Sequence, residues 1–377
     1  MVSRISTASL LALVAALSVR CTSPAGPMAP ATTEPASTVD TGTAPCNQQT
    51  SFGDADGDAR CILPPDPAYG MQFHYGPTDY DDPVEVAKYT LQPGGEVIDC
   101  VFFVTTNADS VFFDAYHSRM RPGGQRMILS LLQELPGAPL VTGSNGPTTC
   151  ESTESVRDLL STQTAMLDVD SIGGGAPENQ GLAVQIPSGQ QGVLQAHFIN
   201  ATSKPILREV WANLLYAPSS AVTQLGEPAL FASGATGKVS LGQSTAVTGT
   251  TTIPEGVAPD FRLVFATGSY DSHTTRFTAW ATVAGEKQQI IQENGTLGVA
   301  PEPRTWFFDS VGQNPAPDPS SRAPGAASGI LHMQPGDAIT WECDVTNDDV
   351  TGGIQFASSV YAGETCNLSG MVAPAGP

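Results

Sequence analysis

The chain has 377 residues, with 38 Gly, 31 Pro and only 14% charged residues. That is too little Glu, Lys and Arg for a helical protein, and it favours many short strands joined by Gly/Pro turns. A net charge of −21 repels a phosphate backbone, which argues against nucleic acid as a partner and otherwise reads as solubility.

Residues 1–21 read as an export signal. Arg4 supplies a positive start, and Leu10 to Val19 form an apolar run too short to span a bilayer as a helix. Cys21 follows directly. It resembles the lipid acceptor of a bacterial lipoprotein, although Arg20 before it fits that processing poorly; a simple secretory signal is the other reading. The protein is therefore expected outside the cytoplasm: extracellular, periplasmic, or held at the cell envelope by a lipid on Cys21, its only expected tie to a membrane. Residues 22–64 are expected to be a disordered tether, rich in Pro, Ala, Ser and Thr, ending in a small disulfide loop. Asp54, Asp56 and Asp58 alternate around Gly57. They read as an acidic turn rather than a calcium loop, because the rest of an EF-hand loop is missing.

Of the seven cysteines, Cys21 sits at the signal boundary. Cys46, Cys61, Cys100, Cys150, Cys343 and Cys366 remain, an even number that suits three disulfides in an exported chain. Nearest-neighbour pairing (Cys46–Cys61, Cys100–Cys150, Cys343–Cys366) is one among the many connectivities that six cysteines allow. No Cys-x-x-Cys occurs, so zinc-knuckle and thioredoxin-like chemistry find no support.

From residue 65 the pattern is all-β. Met71 to Tyr75 alternates, and Val97 to Val104 is rich in β-branched and aromatic residues. Ser110 to Tyr116 and Met127 to Leu132 follow, the latter after the turn Pro122-Gly123-Gly124. Ser152 to Met166 reads as room for a short helix. Strands are next expected at Gly181 to Ile186, Gly192 to Phe198 and Ile206 to Leu215. After a linker at 217–228 comes a second β-rich block of similar length. Two tandem β-sandwiches, 65–217 and 218–372, account for this best.

Four segments carry a family likeness: Leu91-Gln-Pro-Gly-Gly95 with the Cys100 strand, Arg121-Pro-Gly-Gly-Gln-Arg-Met-Ile-Leu129, Leu194-Gln-Ala-His-Phe-Ile-Asn200, and Trp341-Glu-Cys343 through Glu364-Thr-Cys-Asn-Leu368. In order and spacing they resemble the copper type II, ascorbate-dependent monooxygenases, the group of peptidylglycine α-hydroxylating monooxygenase and dopamine β-monooxygenase, and above all its exported bacterial relatives. The resemblance implies two jelly-roll-like sandwiches. It also implies one copper held by three histidines in the first sandwich, and a second held by two histidines and a methionine in the other.

Position by position, the implied ligand set is largely replaced. The adjacent histidine pair falls on Gln125 and Arg126, and the third histidine on His197. The second site falls on Ser269, Asp271 and Thr365. Gln and Ser are poor copper ligands, and Arg is a fixed cation. Asp271 and His273 share a strand face and could form a different metal site with His332 or Met333, whereas His74 and His117 read as structural. No Gly-x-Ser-x-Gly elbow, Walker loop or His-Glu-x-x-His occurs.

Two functions follow as expectations. One is a non-catalytic family member that binds a small molecule, a peptide or a surface partner. The other is a copper monooxygenase that hydroxylates an organic substrate with oxygen and a reductant such as ascorbate, through ligands other than those aligned.

Overall fold

The computed structural model describes residues 60–132, 148–149, 156–162, 166–231, 237–253, 260–270, 273–295, 305–308, 330–347, 354–356 and 366–375. The expected tether, the Asp54–Asp58 turn, Cys21, Cys46 and Cys150 lie outside them. No helix among them is long and apolar enough to cross a membrane.

The chain is all-β, two β-sandwiches in tandem. In the first, one sheet runs β1 (Gly70–Tyr75), β12 (Val210–Tyr216), β4 (Val111–Met120), β9 (Leu182–Ile186) and β13 (Gln224–Leu225), with β8 (Met166–Val169) also on β4. The facing sheet runs β6 (Thr148–Thr149), β3 (Glu96–Val104), β10 (Gln191–Ile199), β5 (Gly124–Leu132) and β7 (Val156–Thr162). In the second sandwich, β14 (Glu227–Phe231), β24 (Cys366–Pro374), β17 (Phe261–Tyr270) and β20 (Thr305–Phe307) form one sheet, with β21 (Leu331–Met333) also on β17. The other sheet holds β16 (Ser244–Thr252), β22 (Ala338–Thr346), β18 (Thr274–Val283) and β19 (Glu286–Asn294). Short pairs join β2 (Thr90–Leu91) to β11 (Ile206–Leu207), and β15 (Gly237–Val239) to β23 (Ile354–Phe356).

Both sandwiches are wound alike. Rank the main strands of the first in sequence, β1, β3, β4, β5, β7, β9, β10, β12; its sheets then read 1-8-3-6 and 2-7-4-5. The same ranking of β14, β16, β17, β18, β19, β20, β22 and β24 gives the same two orders. This is the jelly-roll winding, in which all but the 4-5 hairpin pair strands distant in sequence.

Alternation builds the cores. In β10, Leu194, Ala196 and Phe198 enter the first core, with Met127, Leu129 and Leu131 of β5 beside them. The second core centres on Trp341, fully buried, whose indole lies where a side chain at Gly249 on β16 would be. Its Nε1 donates to the Cys366 carbonyl at 3.0 Å. The Cys343–Cys366 disulfide, with Cα atoms 6.0 Å apart, ties β22 to β24 across the two sheets. Cys61 and Cys100 are also disulfide-bonded.

Three expectations change. Instead of a short helix in Ser152 to Met166, residues 156–162 form β7 on the otherwise free edge of β5, from Leu132↔Val156 to Met127↔Thr162. A short run with Leu160 turned into the core suits either state, and the open sheet edge decides for strand. The helix that does form is α1 (Pro83–Tyr89), capped by Asp82, which accepts from the Val84 amide, with Pro83 in its first turn. Within the expected linker, β13 pairs parallel to β9, so the first sandwich takes in part of that stretch.

The sandwiches pack directly against each other. Met371 and Ala373 of β24, with Val264 and Phe265 of β17, join the first core. Arg262, buried, donates to Asn179, to the Gln224 side chain at 2.8 Å and to the Glu178 carbonyl at 3.0 Å.

Candidate site at the Arg126–His197 strand pair

β10 and β5 are neighbours, and their register sets His197 directly opposite Arg126. The register then slips, and Phe198 pairs with Gly124. Gln125 is therefore the extra residue of a β-bulge and is exposed, its amide 3.5 Å from the Gly123 carbonyl. Of the two positions aligned with the family's histidine pair, one is turned to solvent. The other, Arg126, is paired opposite His197 and is only 1% exposed.

His197 is buried and its Nε2 lies 2.9 Å from Oε1 of Glu96, on the adjacent β3. A carboxylate only accepts, so the imidazole donates through Nε2 and leaves Nδ1 outside this bond. That Nδ1 is buried with no hydrogen-bond partner among the described residues. Glu96 is held below the usual glutamate range, first by the His197 hydrogen bond and then by the charges of His197 and His273, against a partial desolvation that pushes the other way. His273 immediately precedes β18 in the second sandwich, so that sandwich reaches within electrostatic range of this site.

The second aligned site is less complete. Ser269 is buried on β17, opposite Asn367 of β24. Asn367, Ser369, Met371 and Ala373 alternate onto one face of β24, and Met371 and Ala373 join the first core. Ser269 thus looks toward the first sandwich. Asp271 and Thr365 lie outside the described residues. His332 does not join His273. It stands opposite Arg262 on β17, eight residues from Tyr270 and so about 26 Å away along an extended strand. Met333 is sealed in the second core.

Copper needs several neutral or anionic donors converging on one point. At the first site the residues offer one imidazole already bonded to a carboxylate, an amide on an exposed bulge and a buried guanidinium, and they do not fit the ion. Among the described residues no three His, Cys, Asp or Glu side chains form a metal-binding group.

Other buried polar clusters were not singled out by the sequence. Glu209, fully buried, accepts from Arg121 Nε at 2.6 Å, from His74 Nε2 at 2.8 Å and from the Tyr80 hydroxyl. His74 and Arg121 also lie against the Trp211 ring. Burial, then the Glu209 charge, pushes the Tyr80 phenol far up. On the other side of the strand Arg208 pairs with Asp99, which accepts from the Tyr75 hydroxyl at 2.6 Å. In the second sandwich Glu293 accepts from Tyr270 and Trp306. His74 is thus structural, and His117 lies 3.6 Å from Asp170. The available signal was a charged residue set directly against an apolar run, as at Arg121 just after β4 and Arg208-Glu209 between β11 and β12.

No protein-family model matches the chain, and no curated protein matches it. Among solved structures it is similar to N-glycanase F (PNGase F), a glycosylasparaginase from Flavobacterium meningosepticum, at 10% identity over 80% of this chain and 95% of that one, with TM-scores of 0.30 and 0.31 in two structures. The major capsid protein P2 of bacteriophage PM2 matches at 10% identity over 81% of this chain and 97% of that one, with a TM-score of 0.27. Likeness this slight carries no weight for activity.

Proposed function

We propose that the chain is an exported relative of the copper type II monooxygenases that works by binding, with ion pairing in place of metal chemistry at the first site. One observation carries the reading: the buried guanidinium of Arg126 stands across from His197, the one aligned histidine present, and His197 is tied to Glu96. A permanent cation on the strand position opposite the imidazole disfavours a metal ion there.

Metal analysis of the reduced, copper-loaded mature protein tests this. Well under one equivalent of tightly bound copper is expected, with no ascorbate-driven oxygen uptake. Two equivalents with oxygen uptake would overturn it in favour of the monooxygenase.

A further inference from the structure

The 2-7-4-5 sheets of the two sandwiches differ in their outer faces. In the first, Cys100, Ile128 and Gln195 on that face are buried. In the second, the same face of β16, β22, β18 and β19 is open: Thr248 and Thr250 are exposed, and Thr340, Glu342 and Trp280 half-exposed. The alternation that sends Phe277, Ala279, Trp341 and Cys343 inward leaves this side polar throughout, apart from Trp280 and alanines.

The register orders it. Gln289, Trp280, Thr340 and Thr250 lie in one row across the four strands. Gln292, Thr278, Glu342 and Thr248 form the next. The side chains are already engaged with one another: Gln289 Nε2 donates to Gln292 Oε1 at 2.7 Å, and Thr250 and Thr340 share a hydroxyl bond at 3.1 Å. Lys287 Nζ sits 4.3 Å from the Trp280 ring centroid; it is exposed and can swing off the indole. The charges cancel: Lys287 and Arg276 against Glu342 and Asp344, with Arg276 2.6 Å from Asp344.

We propose that this face binds a neutral polysaccharide, with a β-1,4-linked glucan as the chemistry that suits it. A sugar ring offers apolar C–H groups to an indole face and hydroxyls to amides, hydroxyls and carboxylates around it. Charge balance on the face favours an uncharged ligand, and the chain's net charge of −21 disfavours an anionic one. Within a row the side chains are spaced at the strand separation, about 4.8 Å, and successive rows lie about 6.8 Å apart along the strands, so a chain of sugar rings laid across the strands meets a polar side chain at each one. This reading does not depend on whether the Arg126–His197 site takes up copper.

The test uses the full mature protein on microcrystalline cellulose and in gels containing hydroxyethylcellulose, with anionic carboxymethylcellulose for comparison and chelator throughout. Retention by both neutral probes is expected. Trp280→Ala should weaken it at least tenfold and Trp280→Phe much less, each variant keeping the wild-type circular dichroism and melting profile. Absence of retention by the neutral probes, retention by the anionic polymer alone, or retention that Trp280→Ala leaves unchanged would each overturn the proposal. So would a concentration-dependent dimer abolished by Trp280→Ala without cellulose retention, which would assign the face to a second copy.

Discussion

Replacing Gln125 and Arg126 together by histidine should convert the first site into a copper site. Arg126 and His197 are a directly opposed cross-strand pair, so their side chains begin about 5 Å apart. A divalent ion at that distance from a guanidinium is repelled by about 7 kcal/mol at an effective dielectric of about 20, equivalent to roughly five decades of affinity. An arginine can swing aside and water can screen it, so half that figure is the safer expectation, two to three decades. The double variant also raises the imidazole count from one to three, with His197 Nδ1 already buried and without a hydrogen-bond partner among the described residues. Competition against a chelator of known affinity should show one equivalent of copper held at least a hundredfold more tightly than in the wild type. The Cu(II) form should show nitrogen hyperfine coupling in its electron paramagnetic resonance spectrum. Oxygen uptake should not follow, because the second site has no restored ligands. A double variant that folds and binds no better than wild type would refute the placement of the site.

Two further outcomes follow from the buried ionic groups. Glu209→Gln keeps the shape of the side chain but leaves Arg121 buried beside a neutral amide; a loss of about 3–5 kcal/mol is expected in urea unfolding of the first sandwich, and a loss below about 1 kcal/mol would show that the cluster is solvated. Glu96, whose carboxyl is lowered by the His197 bond and by nearby imidazole charge, contributes stability that is present above the ordinary glutamate value and is lost as the pH falls through its lower folded value. Because its side chain is 62% exposed, the effect should be seen by NMR titration rather than in melting. His197→Ala should move the Glu96 midpoint back up, and should change stability more than copper affinity.

The class of fold was legible because it rests on local pattern. Val97 to Val104 could be little else than a strand, and the alternation of Leu194, Ala196 and Phe198 marks one face of β10 without reference to any partner. The order of the strands was not legible. It depends on pairings such as Gly70↔Leu215, which no local window contains. At the site, family resemblance pointed to Arg126 and His197, and the register places them together. Glu96 escaped notice because a glutamate opening a strand reads as an ordinary surface residue. Arg208 and Glu209 escaped for another reason. They are adjacent in sequence but project to opposite sides, one to Asp99 and the other to Arg121, so their roles emerge only when both sheets are in place. The helix α1 was signalled by Asp82-Pro83 and was masked by the strands around it.

The interface between the sandwiches bears on the proposal that the chain works by binding. One half of the β24 face is apolar and shared with the first core through Met371 and Ala373. The other half, toward Ser269, is polar, and the hydroxyls of Ser269 and Ser369 are buried without hydrogen-bond partners among the described residues. Each such orphan costs about 1–3 kcal/mol relative to a satisfied or apolar group, so stability alone does not account for them. Ser269 stands where the resemblance places a ligand of the second metal site, facing a first sandwich whose own aligned position holds Arg126. With the other end locked by Arg262 and the shared core, the two halves are held as partners, and among the described residues neither gathers three His, Cys, Asp or Glu side chains into a metal-binding group. What such a scaffold presents besides is surface, and one open surface among the described residues is the sheet face around Trp280.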